Sequence, residues 1–220
     1  MNPAISISIL GLIITLLVSP QSALCANPIL SPPETARWTV SLFSDSGTPG
    51  SAPDLTKALP APLPKTIRFT KTGDSGKVEK VTGNHTETEY AKASFYLKRD
   101  EQGQVMLVPA GILGFIDEVF LTQFPGVGWA RPQFLIGPML VREEPCQYFR
   151  RTTPEADDPM NPNPEQIVQE AWFSEKSGLP VAFRSKGITR FYQFEATPNT
   201  KVILPPEFQK AWNAYYRPPP

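Results

Sequence analysis

The stretch EAWFSEKSGLPVAFRSKGITRFYQF, residues 170–194, decides the fold. Apolar and polar side chains alternate along three short segments of it, separated by polar turns at 175–178 and 186–187 that each contain a glycine. Alternation with a period of two is typical of a strand with one buried face. Turns this short can join only antiparallel neighbours. The stretch therefore predicts a three-stranded antiparallel meander.

The same alternation continues towards the N-terminus, in segments 38–42, 67–70 and 91–98. The last has the longest alternation in the chain, so we expect one continuous strand there. A turn at 100–103 then predicts that residues 104–108 return as a buried strand. The sequence GDSGKV at 73–78 is too short for a phosphate-binding loop and predicts a hairpin turn instead.

Two short helices are expected beside the strands. Five apolar residues recur at the spacing i, i+3, i+4, i+7 and i+8 that one helix face requires. They are Ile112, Phe115, Ile116, Val119 and Phe120, and they predict an amphipathic helix over 111–123. Pro206 favours the first position of a second helix. Strands thus outnumber short helices, which predicts an α+β fold built on an antiparallel sheet.

The N-terminus predicts export. Residues 4–18 form an uncharged, mostly apolar core of 15 residues, whereas a transmembrane helix needs roughly 20. Small residues follow at 22, 23 and 26, as in a signal cleavage region. We predict a signal peptide over 1–26 and a periplasmic or secreted mature chain that begins at Ala26 or Asn27. An uncleaved anchor is the alternative, because no Lys or Arg precedes the core.

Two cysteines bear on this prediction. Cys25 follows the apolar core, so lipidation of that residue is a second alternative, although Leu24 departs from the small residue that normally precedes a lipidated cysteine. Membrane association is expected only if Cys25 is lipidated. Cys146 alone is certain to remain after cleavage, so we expect no internal disulfide and a buried thiol.

The remaining residues, 27–220, suffice for one hydrophobic core and predict a single β-rich domain. The chain has 26 prolines, and they cluster at 44–64 and 154–164. Proline removes backbone donors and both segments have little to bury, so we predict exposed loops there. The first is expected to be mobile and dispensable for folding.

The composition excludes several function classes. The chain has 21 basic and 21 acidic residues, a balance that disfavours nucleic acid binding. Its one histidine, His85, has no partners at metal-ligand spacing, and no nucleophile motif is present. We therefore expect no metal, no cofactor and no enzymatic activity. Adjacent carboxylates at 117–118, 143–144 and 157–158 leave a carboxylate-dependent hydrolase as a third hypothesis.

The segment WFSEKSGLPV, residues 172–181, resembles the late strands of the periplasmic lipoprotein-carrier superfamily, which includes LolA-like and LolB-like proteins. Segments 188–194 and 204–208 are similar too. The resemblance implies a strongly curved antiparallel half-barrel, closed by short helices over an apolar cavity that holds acyl chains in the carriers.

That resemblance implies an apolar or acyl-chain ligand for a non-enzymatic protein. With the helix over 111–123 as a lid, we expect Phe115, Ile116 and Val119 to contact the ligand. The alternative is an envelope protein–protein interaction module, with an envelope protein as partner, the same sheet and a filled core. The two hypotheses differ in whether the sheet encloses a cavity.

Overall fold

The computed structural model describes residues 26–45, 47–60, 63–109, 120–154 and 166–216. Within these ranges, 11 strands form one antiparallel sheet, accompanied by one α-helix and a short 3₁₀ helix at Pro132–Phe134. The strands are β1 (Thr35–Ser44), β2 (Thr66–Thr72), β3 (Ser75–Thr82), β4 (His85–Lys92), β5 (Phe95–Arg99), β6 (Val105–Pro109), β7 (Leu135–Val141), β8 (Glu144–Pro154), β9 (Gln166–Ser174), β10 (Pro180–Ser185) and β11 (Ile188–Phe194), and the helix is α1 (Pro206–Tyr215).

The sheet consists of two meanders that meet in its middle. Its strand order is β6-β5-β4-β3-β2-β1-β11-β10-β9-β8-β7, so β1 pairs with β11, the last strand of the chain. The sheet is curved and open, with β6 and β7 at its edges. The α+β fold with a curved antiparallel sheet is therefore confirmed, and residues 170–194 form the meander β9–β11 as predicted.

One face of the sheet, called here the inner face, is covered by residues 120–130, which belong to the connection between β6 and β7. Trp38 on β1 lies at its centre, stacked on Phe69 with ring centroids 5.0 Å apart. Phe120 and Phe124 pack on Trp38 at 6.2 and 5.4 Å. All four side chains are buried. Aromatic packing therefore fills the centre of the inner face.

The opposite, outer face carries α1 at the end formed by β4–β6. Phe208 and Trp212 of the helix pack with Leu97 and the partly buried Tyr90. Pro206 is the first residue of α1, as predicted, because proline needs no backbone donor there. Within the part of the chain that the structure describes, no helix has the length and apolar content needed to cross a membrane.

The prediction of one strand over 91–98 is wrong. β4 ends at Lys92 and β5 begins at Phe95, with a turn in which Ala93 has a φ of 50°. The turn reverses which face alternate residues occupy, so Ala91 joins the inner core and Leu97 packs under α1. Both faces of the sheet are covered here, so apolar residues alternate on either side of the turn as they would along one strand. The turn itself contains neither glycine nor proline and was not recognised.

The first proline-rich segment is not a free linker over its described residues, 47–60. Ser44 N donates to the Lys57 carbonyl at 2.8 Å, and Phe43 pairs with Ala58 in an isolated bridge. Leu55 and Leu59 are buried. Composition alone does not reveal these contacts, and the mobility and dispensability of the segment stay predictions. Residues 155–164 of the second segment lie outside the described residues.

Gly178 closes the turn between β9 and β10, with a φ of +72°. A Cβ atom there would lie 2.3 Å from the Asn27 carbonyl oxygen, so the N-terminal segment passes directly over this glycine. Gly178→Ala is therefore expected to lower the free energy of unfolding by about 2–4 kcal/mol, since backbone strain and a steric clash add.

Gly103 provides the matched control, because its φ is +78° and nothing lies within 4 Å of a Cβ built there. Gly103→Ala should cost only about 1 kcal/mol, the strain without the clash. Urea unfolding of both variants measures the difference. Equal losses would mean that residue 27 does not approach the turn.

Candidate ligand-binding site

The three residues predicted to contact a ligand, Phe115, Ile116 and Val119, lie outside the described residues, so their role stays a prediction. Of the expected helix over 111–123, the structure describes residues 120–123, which form turns rather than helix. These residues lead into the segment that fills the centre of the inner face. Beyond its aromatic side chains, the inner face retains a pocket.

This inner-face pocket has a volume of about 520 Å³ and lies between residues 123–129 and strands β8–β11. Trp129, Phe183 and Ile188 form its apolar wall, and most of its exposed lining is apolar. Arg151 and Arg190 are its main polar groups. Its size falls within the roughly 300–1,000 Å³ that is typical of small-molecule sites.

Strand register assembles the floor of the pocket. Arg151 pairs with Gln169, Gln169 with Ser185, and Ser185 with Ile188, so one row crosses from β8 to β11. Phe183 and Arg190 form the next row. Cross-strand partners share one face of a sheet. The pairing therefore brings residues that are far apart in sequence together in the floor of the pocket.

Gly126 lets the covering segment pass close to this floor. Its φ is +86°, and a Cβ atom there would lie 2.7 Å from the Phe183 ring. A glycine tolerates both the left-handed conformation and the close approach. The covering segment is held further by the Tyr192 hydroxyl, which donates to the Pro125 carbonyl at 2.8 Å.

The two guanidinium groups of the pocket lie over aromatic rings. Arg151 Cζ is 4.8 Å from the Trp129 ring centroid, and Arg190 Cζ is 5.5 Å from that of Phe183. Arg151 Nε also donates to Gln169 Oε1 at 2.6 Å. Burial lowers the pKa of Arg151 from its usual value, yet a guanidinium remains charged at neutral pH.

The indole N–H of Trp129 has almost no accessible surface. The residue is 8% exposed, and its indole Nε1 is buried without an acceptor among the described residues. Buried donors in native proteins nearly always have a partner. Because this nitrogen is not accessible, the charged donors of the pocket are its guanidinium groups, and Trp129 contributes its ring to the wall.

The outer face holds a separate group of buried charges that the sequence analysis missed. Arg184 donates through Nε to Glu170 Oε2 at 2.7 Å, and its Nη1 lies 3.3 Å from Asp45 Oδ2. Tyr148 donates its hydroxyl to Glu170, and Thr189 donates to Asp45 Oδ2 at 2.7 Å. All five residues are buried.

The described loop 47–60 closes over this network. Gly50 N donates to Glu170 at 2.7 Å, and Gly47 N donates to Asp45 at 2.7 Å. Arg184 Nη2 donates in turn to two loop carbonyls, those of residues 48 and 51. Every carboxylate oxygen of Asp45 and Glu170 thus has a donor. The network therefore anchors the loop to the sheet.

Asp45 and Glu170 lie in one cleft, as the hydrolase hypothesis requires. Their oxygens, however, already accept hydrogen bonds from the network and the loop. Burial alone would raise the pKa of Asp45, but hydrogen bonds from Thr189 and from the backbone of Gly47 and Asp54, together with Arg184, hold it below the usual value. A general acid needs a raised pKa instead. The carboxylates at 117–118 and 157–158 lie outside the described residues.

The predicted burial of Cys146 can also be compared with the structure. Cys146 is buried on the outer face as expected, and burial, with the nearby carboxylates of Glu144 and Glu175, raises the pKa of its thiol to about 12. A thiol in that state is unreactive at neutral pH. Among the described residues, no cluster of three or more His, Cys, Asp or Glu side chains could hold a metal ion.

A larger cavity lies elsewhere, on the outer face. It has a volume of about 910 Å³ and lies over β1–β3 beside residues 200–203. Charged and hydroxyl side chains line it, and two ion pairs, Arg37–Glu195 and Lys77–Glu79, form within it. The inner-face pocket is the stronger candidate, because it combines aromatic walls with guanidinium N–H groups that have no acceptor among the described residues.

No protein-family model and no curated protein matches the sequence. Among solved structures, the chain is similar to the crystal structure of LprF from Mycobacterium bovis, with 11% sequence identity and a TM-score of 0.39. The similarity covers 78% of this chain and 90% of that chain. A similarity of this level identifies no ligand, so the functional argument rests on the pocket. The resemblance to the lipoprotein-carrier superfamily stays a prediction.

Proposed function

We propose that this chain is an exported, non-enzymatic protein that binds the apolar chain of a lipid-like molecule in the inner-face pocket. The observation that carries the proposal is the pocket of about 520 Å³ walled by Trp129, Phe183 and Ile188. A concave, mostly apolar site with a few polar groups is the usual form of a small-molecule site. Each buried methylene of a ligand would contribute about 0.8 kcal/mol.

The proposal keeps Phe115, Ile116 and Val119 as ligand contacts, since they directly precede the segment that frames the pocket. The proposed binding mode differs from that of a half-barrel with an empty interior. Here the centre of the inner face is already filled by four aromatic side chains, those of Trp38, Phe69, Phe120 and Phe124. The ligand is therefore confined to one end of the sheet.

Uptake of pyrene-labelled dodecanol, an uncharged probe, by the purified protein tests this proposal. Ser185 lines the pocket, so Ser185→Trp should fill it and weaken saturable binding by at least about tenfold, or 1.4 kcal/mol. Thr88→Trp, at an exposed position on β4, should bind like the parent. No saturable binding by the parent, or equal binding by the two variants, would refute the proposal.

The interaction-module hypothesis becomes the better account if the probe does not bind. It draws support from the filled centre of the inner face and from edge strand β7, where Leu135, Ile136 and Leu140 are exposed. β7 contains no charged residue, whereas natural edge strands usually carry charges that prevent pairing.

Export is tested independently of the pocket. Intact-mass analysis of protein recovered from cells should show a chain that begins at Ala26 or Asn27. Retention of residues 1–20 would contradict export by a cleaved signal.

A further inference from the structure

We infer that the inner-face pocket selects an anionic amphiphile, whose carboxylate or phosphate group is bound by Arg151 and Arg190. The inference rests on the proposed function, because it names the class of ligand for the same pocket. The supporting observations are the unused hydrogen-bond donors of the two arginines and the charges around the pocket.

Both arginines keep free donors. A guanidinium over an aromatic ring uses its face and leaves its N–H groups for acceptors. Arg151 uses only Nε, on Gln169, and its terminal nitrogens have no acceptor among the described residues. Arg190 contacts the Phe183 ring and makes no hydrogen bond to a described residue.

Three other arginines have carboxylate partners, and the remaining described arginines outside the pocket, Arg68, Arg131, Arg142 and Arg150, are exposed to solvent. Arg37, Arg99 and Arg184 each form an ion pair, and the buried Arg184 has two carboxylates, Asp45 and Glu170. Among the described residues, neither arginine of the pocket forms such a pair. A partly buried charge is costly without a counter-ion. An anionic ligand would supply the negative charge that the described residues do not place beside these two arginines.

The rest of the pocket favours the same ligand chemistry. Among the described residues, no carboxylate lines the pocket. The guanidinium groups of Arg151 and Arg190 both line it. A carboxylate or phosphate group has several acceptor sites and can serve more than one of these donors. The apolar wall leaves room for a chain, so the ligand is an amphiphile rather than a free anion.

Three probes that share a pyrene-labelled dodecyl chain test the inference at neutral pH: the alcohol, the carboxylic acid and the phosphate monoester. Charge-assisted hydrogen bonds are worth about 1.5–3 kcal/mol, so the acid or the phosphate should bind roughly 10- to 100-fold more tightly than the alcohol. The larger ratio identifies the headgroup.

The advantage of the anionic probes should disappear in Arg151→Gln and Arg190→Gln. Arg68→Gln is the matched control, because Arg68 is exposed and lies on the outer face opposite Thr39. Salt gives a readout that needs no variant: higher ionic strength should weaken binding of the anionic probes and leave the alcohol unchanged.

The outcomes separate this inference from the proposed function. If the three probes bind the parent equally, or if the anionic advantage survives in both variants and in high salt, the inference is overturned and the proposed function stands. If none of the probes binds, both are overturned. An anionic advantage that is lost in either folded variant supports the inference.

Discussion

Replacing Arg184 with leucine is expected to destabilise the protein by about 3–5 kcal/mol. Arg184 is 4% exposed, and its guanidinium bridges Asp45 and Glu170, which are both 2% exposed. Its removal would leave two buried carboxylates without their shared cation, and the loop carbonyls of residues 48 and 51 would lose the hydrogen bonds that they accept from Arg184. The measurement is the free energy of unfolding in urea at neutral pH.

Arg37→Leu is the matched control. Arg37 also pairs with a carboxylate, that of Glu195, but the two side chains are 41% and 45% exposed and the closest atoms are 4.0 Å apart. Exposed pairs contribute about 0–1 kcal/mol, so this variant should unfold close to the parent. Similar losses in the two variants would show that the Arg184 network does not anchor the loop.

Acid should weaken the same network. Because the folded pKa of Asp45 is depressed, its contribution to stability is complete above the ordinary value of 3.8 and is lost as pH falls through the folded pKa. Asp45→Asn should therefore lose less stability than the parent when the pH is lowered through this range. Identical pH profiles would contradict the placement of this carboxylate.

The second large effect is expected for Phe124→Ala, which should cost about 3–5 kcal/mol. Phe124 is fully buried and packs edge-on against Trp38, Tyr192 and Phe194, with ring centroids 5.4, 6.3 and 5.5 Å apart. Truncation would open a void at the centre of the inner face. Probe binding should survive in folded protein, because Phe124 does not line the pocket.

Ile203→Ala supplies the control, since Ile203 is 82% exposed and its truncation should change the free energy of unfolding by no more than about 0.5 kcal/mol. A loss below about 1.5 kcal/mol for Phe124→Ala would indicate a loosely packed centre. The inner face would then have space for a ligand where the structure places aromatic rings.

Much of the fold follows from local signals in the sequence. The meander β9–β11 was predicted because alternating segments are separated by turns at Gly178 and Gly187, both of which have positive φ. Pro206 marked the start of α1 for a similarly local reason. The hairpin at Ala93 was missed because its turn lacks such a residue and both faces of the sheet are apolar there.

The candidate site could not be predicted in the same way, because strand register creates it. Arg151 and Arg190 are separated in sequence and each looks like an ordinary surface charge on a strand. Pairing of β8 through β11 brings both to one pocket. Likewise, nothing local connects Asp45 with Arg184, and the loop between β1 and β2 is held through backbone groups that composition does not reveal.

The central claim is that an apolar chain occupies the inner-face pocket beside Trp129, and quenching of tryptophan fluorescence by a dibrominated dodecanol tests it most directly. We predict saturable quenching in the parent, loss of most of that quenching in Trp129→Phe, and its retention in Trp212→Phe, because Trp212 lies in α1 on the outer face. An absence of saturable quenching, or quenching that persists in Trp129→Phe and disappears in Trp212→Phe, would contradict the claim.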